Sequence, residues 1–231
     1  MGLAVGIAAG AVVLGVLVWP PKEAPTAPSG GIAAPTRAVV PDDTRPRPTG
    51  PSRAPTRTPA PVPQEGAGTF SVASGDDERR GAEGRLVEYR VEVEDGLGIE
   101  AEDFADAVGS TLAHPRGWTA DGRFSFRHTA DARLRVVLAS PATTDRLCAP
   151  LQTRGEVSCR NGDDVVINAR RWTEGAAAYD RLGDYRHYVV NHEVGHALGF
   201  GHEPCSAPGE PAPVMLQQTL GLQGCEPNPW P

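Results

Sequence analysis

The sequence predicts an α+β domain over residues 67–231, and two segments carry most of that prediction. Residues 85–93 alternate polar and apolar side chains, which is the pattern of a strand with one buried face. Residues 101–112 place apolar side chains at helical spacing and acidic ones in the first turn, which predicts an amphipathic helix. Strands and helices that follow one another in mixed order indicate an α+β architecture.

Further elements are predicted downstream from short apolar runs and from one capping residue. Asp184 is the predicted N-cap of a helix that runs from residue 185 to about residue 198. The other predicted elements are strands at 124–127, 134–138 and 165–168 and a short helix at 142–148.

The N-terminal segment, residues 1–19, is uncharged and long enough for a transmembrane helix. A signal peptide is the alternative, but Trp19-Pro20-Pro21 follows in place of a small-residue cleavage site. An uncleaved anchor is therefore favoured, which makes the membrane a partner. An uncleaved anchor predicts a single-pass cell-membrane protein whose C-terminal domain is extracellular. If the segment is cleaved, the protein is secreted.

Residues 20–66 are a predicted disordered, proline-rich linker. More than half of the chain's 23 prolines lie there, and large apolar residues are nearly lacking, so no core can form. A proline-rich chain is extended and semi-rigid. A solvated tether is the simplest interpretation, and the cell wall is a further candidate partner because such a stalk could pass through it.

Charge and cysteine content restrict the binding partners and the cellular compartment expected for the domain. The net charge of −7 argues against nucleic acid as a partner, because phosphate-binding surfaces are basic. Three pairings are open to the four cysteines, and Cys148–Cys159 with Cys205–Cys225 is favoured because each bond closes a short loop. Two disulfides would indicate an oxidising compartment.

A histidine-rich segment at 191–203, NHEVGHALGFGHE, carries the predicted chemistry. His192 and His196 are four residues apart, so on a helix both imidazoles project from one face and can bind one metal ion. Glu193 follows the first histidine, where its carboxylate can hold a water molecule beside the metal without binding the metal itself.

The residues after the predicted helix supply a third ligand. Gly199 can take the left-handed conformation that ends a helix and reverses the chain, which brings His202 back toward the first two histidines. Three nitrogen ligands leave one tetrahedral position open, and this arrangement is typical of a catalytic rather than a structural Zn²⁺ site.

The pattern His-Glu-x-x-His-x-x-Gly-x-x-His is the metzincin signature, and residues 192–202 match every fixed position. The chain therefore resembles this class of zinc metallopeptidases. The resemblance implies a metzincin-like catalytic domain with a mixed β-sheet, a zinc-binding active-site helix and a Met-turn, for which Met215 in APVM lies at a suitable distance. Residues 80–231 look most like an uncharacterised family of secreted, metzincin-like actinobacterial proteins, through the segments YVVNHEVGHALG, APVMLQQT and CEPNPWP.

No metzincin subfamily is assigned. HEVGHALG resembles the zinc helix of matrixins, whereas Phe200 and Glu203 resemble astacins. Gln217 stands where astacins and serralysins carry a tyrosine ligand, so no tyrosine switch is expected.

Together these residues predict an extracytoplasmic zinc-dependent endopeptidase acting on protein or peptide substrates. Zinc is expected at His192, His196 and His202, with Glu193 as the general base that takes a proton from water and delivers it to the leaving amine. Two alternatives stay open: a catalytically weak, zinc-containing cell-surface binding module, and a cell-wall peptide hydrolase. The binding module would usually lack the general base, and no recognisable wall-binding module supports the hydrolase.

Other candidate residues are expected to be structural. Trp172 is predicted to pack in the core, and Arg170 and Arg171 to be solvated rather than to edge the substrate cleft. His187 lies on the wrong helix face for a ligand, and residues 228–231 are expected to pack onto the domain.

Overall fold

The computed structural model describes residues 61–231, so the predicted membrane segment at 1–19 and most of the predicted linker at 20–66 lie outside the described residues. Within 61–231, no helix is both long enough and apolar enough to cross a membrane. The described strands are β1 (Phe70–Val72), β2 (Arg85–Glu94), β3 (Phe124–His128), β4 (Leu134–Ala139), β5 (Cys159–Asn161) and β6 (Asp164–Asn168). The described helices are α1 (Ala101–Leu112), α2 (Pro141–Cys148), α3 (Ala169–Glu174) and α4 (Leu182–Leu198).

These strands form one mixed sheet, which confirms the predicted α+β class. Its path runs β1-β2-β4-β6-β5, and β3 pairs with the first half of β2. The central strands β2, β4 and β6 are parallel, with Val91 opposite Val136 and Val136 opposite Val165. The outer strands β1 and β5 are antiparallel to their neighbours. β5 therefore ends the sheet, and its outer edge is paired with no strand of residues 61–231.

The two faces of the sheet carry different helices. On one face, α1, α3 and α4 cover a main core to which Val165 and Ile167 of β6 contribute. On the other face, α2 covers a smaller cluster that includes Val137, Val166 and the Cys148–Cys159 disulfide. Successive residues of a strand point to opposite faces, so β6 is buried on both sides.

The helix that carries the histidines begins earlier than predicted. Its N-cap is Arg181 rather than Asp184, which lies inside the first turn. The Asp184 carboxylate accepts a hydrogen bond from the Arg181 guanidinium at 2.7 Å and so does not cap the backbone. A carboxylate in the first turn also interacts favourably with the helix dipole, which explains why Asp184 marks the helix start without capping it.

The folded domain extends upstream of residue 67, the predicted boundary. Val62 packs against the main core, and the Gln64 carbonyl accepts a hydrogen bond from the Ala142 N–H at 3.0 Å. The Gly66 N–H donates to Ser140 Oγ at 3.0 Å. These contacts use mainly backbone groups, so the proline-rich composition of this stretch does not reveal them.

The last part of the chain, after α4, contains no further helix or strand. Residues 199–231, here called the C-terminal coil, contain only turns, bends and isolated bridges. Both predicted disulfides are confirmed: Cys205–Cys225 closes the coil, and Cys148–Cys159 joins α2 to β5. Trp230 is buried and stacks on His114 with ring centroids 4.0 Å apart, so residues 228–231 pack onto the domain as expected.

Candidate metal centre

The end of α4 brings the three predicted histidine ligands together. Gly199 adopts the left-handed conformation, with φ 105° and ψ 8°, as its sequence position predicts. The Gly199 N–H donates to the His196 carbonyl at 3.1 Å, and the Phe200 N–H donates to the Gly195 carbonyl at 3.0 Å. This tight reversal ends α4 and brings His202 back to the helix face that carries His192 and His196.

The three imidazoles form a compact cluster. One nitrogen from each of His192, His196 and His202 lies within 4.8 Å of the others. The Nε2 atoms of His196 and His202 are 3.1 Å apart. Two ligands of a tetrahedral zinc ion at the usual Zn–N distance lie about 3.3 Å apart, so this spacing fits a shared metal ion.

Backbone carbonyls select the ring nitrogens that face the centre of the cluster. His192 Nδ1 lies 2.8 Å from the Val214 carbonyl oxygen, and His196 Nδ1 lies 2.9 Å from the Phe200 carbonyl oxygen. A carbonyl oxygen only accepts hydrogen bonds, so both Nδ1 atoms carry the proton and both Nε2 lone pairs are free. Metal-binding histidines typically donate their second N–H in this way.

Burial favours the neutral form of His192. His192 is buried, and this burial lowers its pKa to about 4, with the neighbouring His196 and His202 acting in the same direction. Burial likewise lowers the pKa of His202, again helped by His196. A metal ion binds neutral imidazole, so the cluster is poised for a cation at neutral pH.

Glu193 lies beside the histidines at the floor of the same cleft. Its side chain is buried, and burial raises the pKa of its carboxyl to about 8. A bound cation stabilises a neighbouring carboxylate and opposes this shift. A buried carboxyl with a raised pKa beside a cluster of imidazoles is typical of functional sites.

Met215 lies under α4, as the resemblance implies for a Met-turn. A methyl group added at Gly195 would lie 2.5 Å from Met215 Sδ and 2.8 Å from Trp118 Cζ2. Glycine at this position thus lets the turn approach the helix between His192 and His196. The Met215 carbonyl also accepts a hydrogen bond from the Glu203 N–H at 3.1 Å, which joins the turn to the loop of the third ligand.

The cluster opens into a cleft of about 640 Å³. One wall consists of β5 and the preceding segment 151–158. A further part of the lining belongs to the C-terminal coil and includes Gln217, Thr219 and the exposed Leu220. α4 supplies the buried floor, so a sheet edge, the coil and α4 all line the cleft at the candidate metal centre.

Two residues to which the sequence assigned no functional role support the centre. Tyr188 lines the cleft, and its hydroxyl donates to the Leu216 carbonyl at 3.0 Å. Its position four residues before His192, on the same helix face, was the available signal. The Trp118 indole donates to the Asn191 carbonyl at 3.0 Å and stacks on Phe200. No local pattern marks Trp118, because its contacts are distant in sequence.

The residues expected to be structural lie away from the cleft lining. Trp172 is buried against Phe104, with ring centroids 4.9 Å apart. Arg170 and Arg171, predicted to be solvated, are half-buried, and both pair with Glu156, at 2.7 Å each. His187 Nδ1 lies 2.9 Å from the Thr111 hydroxyl, on another side of α4.

The family comparison covers the whole described structure. A family model, DUF3152, described as a protein of unknown function, matches residues 56–231. No curated protein and no solved structure gives a significant match. The matched stretch includes the three histidines, Glu193, Met215 and all four cysteines.

Proposed function

We propose that this chain, which belongs to the DUF3152 family, is a zinc-dependent endopeptidase of the metzincin type. The observation that carries the proposal is the convergence of three imidazoles and one buried carboxylate in a single cleft. Three neutral nitrogen ligands with an open fourth position suit a catalytic zinc ion. The free Nε2 atoms and the carbonyl-bound Nδ1 atoms support this choice of ligands.

In the proposed reaction, His192, His196 and His202 hold the metal through Nε2. Zinc, when bound, supplies Lewis-acid chemistry and lowers the pKa of water. Glu193 accepts the proton of the attacking water and transfers it to the leaving amine nitrogen as the C–N bond breaks. Val214 and Phe200 hold two of the rings in place through their carbonyl oxygens.

The edge strand supports a peptide substrate. β5 ends the sheet and also lines the cleft, next to the histidines. An extended peptide can add to such an edge through backbone hydrogen bonds, whatever its side chains. A small metabolite would make no use of this feature, so the cleft favours a polypeptide substrate over a small molecule.

The two disulfides support an oxidising compartment and so an extracytoplasmic site of action. Anchoring through residues 1–19 is part of the same proposal and rests on the sequence alone. The presence of Glu193 in the cleft favours an enzyme over a zinc-containing binding module. A cell-wall peptide hydrolase would use the same centre on a different substrate.

The test compares zinc content and casein cleavage in wild type and three variants. We expect about one zinc per chain in wild type and in Glu193→Gln, and far less in His196→Ala. Casein cleavage should fall by at least about 100-fold in Glu193→Gln, because general-base catalysis contributes about 10²–10⁴-fold. His187→Gln, a change on the same helix outside the cleft lining, should keep both zinc and activity.

The outcomes separate the competing functions. Folded, oxidised wild type without zinc would refute the metal centre. Zinc without cleavage of casein or purified cell wall would favour the binding module. Release of soluble fragments from wall, without casein cleavage, would identify the cell-wall hydrolase.

A further inference from the structure

An arginine on the cleft wall lacks the partners that other arginines have. Apart from Arg154 and Arg160, every arginine of residues 61–231 contacts an acceptor or an aromatic ring through its side chain. Arg160 is exposed and lies in β5. It is also the one arginine among the described residues that line the cleft.

The sheet register determines on which face of the sheet the Arg160 side chain lies. Arg160 lies opposite Val165 of β6, and Cys159 lies opposite Val166. Opposed residues of an antiparallel pair share a face of the sheet. Val165 faces the core that contains α4, whereas Val166 faces α2. Arg160 therefore lies on the α4 side, the side that carries the histidines.

We propose that Arg160 is a specificity-determining residue that binds a carboxylate of the substrate close to the scissile bond. A guanidinium group pairs with a carboxylate through charge-assisted hydrogen bonds, and no acidic side chain of residues 61–231 occupies this one. Glu193, the one acidic residue among the described lining, is buried at the floor and is assigned to proton transfer.

The carboxylate can come from two sources, an Asp or Glu side chain or a free C-terminus. The position of β5 favours the side chain, because an extended peptide paired along an edge strand places alternate side chains on the same face as Arg160. This inference rests on the proposed peptidase function and specifies its substrate class as acidic peptides.

The experiment maps cleavage sites in chymotryptic peptides from a total cell-protein extract by mass spectrometry. Wild type should show Asp or Glu enriched at one fixed position within about three residues of the cleaved bond. A synthetic pair that differs only by Glu or Gln at that position should differ in kcat/KM by about five- to tenfold, the effect of one partly exposed charge pair.

Variants assign the preference to one residue. Arg160→Gln should bring the Glu/Gln ratio near one, and Arg160→Glu should shift the enrichment to Lys or Arg. Arg154→Gln, the other unpartnered arginine, lies outside the lining of this cleft and should keep the wild-type ratio. Amidation of the peptide C-terminus should leave cleavage unchanged if Arg160 binds a side chain; slower cleavage of the amidated peptide would show that it binds the terminus instead.

Each failure has its own signature. Cleavage without acidic enrichment, unchanged in Arg160→Gln, would overturn this inference and leave the peptidase proposal intact. An equal loss of preference in Arg154→Gln would overturn direct contact by Arg160. Zinc-loaded wild type that cleaves no peptide would remove the proposed function itself.

Discussion

The α+β part of the domain and the C-terminal coil are held together in different ways, yet the candidate metal centre takes residues from both. The sheet and helices rely on backbone ladders and on a buried apolar core. The coil has a small apolar cluster of its own, one disulfide and many hydrogen bonds from side chains to backbone. His192, His196 and Glu193 come from α4, whereas His202 and Met215 come from the coil.

Gln218 shows how the coil replaces a regular ladder. Its side chain is fully buried; the amide NH₂ donates to the carbonyls of Pro213 at 3.1 Å and Asn228 at 2.8 Å. Its carbonyl oxygen accepts from the Tyr179 hydroxyl at 2.7 Å and from the Asn228 N–H at 3.1 Å. All four hydrogen-bonding positions of the amide are used. The difference between the regions teaches that buried polar side chains can position part of a site where no sheet or helix is present.

The largest effect in the coil is expected from Gln218→Ala. The change leaves two carbonyls, one N–H and one hydroxyl without their partner, and each unsatisfied buried group costs about 1–3 kcal/mol. We expect the free energy of unfolding to fall by about 4 kcal/mol, measured by urea denaturation. The control Gln217→Ala changes an exposed neighbour and should alter stability by less than about 0.5 kcal/mol. Similar values for both variants would contradict the role given to Gln218.

The two disulfides allow a direct contrast between the regions. Replacing either pair by serine should cost about 3 kcal/mol, because the loops span 11 and 20 residues and the cost varies only with the logarithm of loop length. The functional effects should differ. Cys205→Ser with Cys225→Ser should weaken zinc affinity, since that bond closes the coil that carries Met215.

The matched pair, Cys148→Ser with Cys159→Ser, acts on β5 and the cleft wall. It should raise the KM for peptides while zinc affinity, measured by competition with a chelator, stays near wild type. Equal loss of zinc in both double variants would show that the two regions are not separable in this way.

A smaller effect is expected where the coil meets α4. Gly195→Ala forces a methyl group against Met215 and Trp118, and overpacking of this kind costs about 1–3 kcal/mol. Zinc affinity should fall as well, because His192 and His196 flank this position. Gly183→Ala, on the same helix in open space, should raise stability by up to about 1 kcal/mol through helix propensity. The melting temperature should fall in Gly195→Ala and rise in Gly183→Ala. A rise in both variants would refute the contact of Gly195 with Met215 and Trp118.

The same contrast explains what the sequence could predict. Period-two and helical patterns located β2 and α1, and the spacing of His192, His196 and His202 predicted the histidine cluster, because these signals are local. The three-residue strand β5 was missed, since so short a segment carries no periodicity. Trp118 was missed because its hydrogen-bond partner is remote in sequence, and Gln218 because its contacts within the coil follow no regular period.

Proline gives the C-terminal coil a property that its folded contacts do not reveal. Seven of the 23 prolines lie between residues 204 and 231, and each fixes one backbone dihedral even before the chain folds. The unfolded segment thus samples fewer conformations, and ordering it loses less entropy than ordering an average loop of equal length. The folded form of the coil, which carries His202, is therefore stabilised in two ways: by the restricted conformations of its unfolded chain and by the bonds of its folded state.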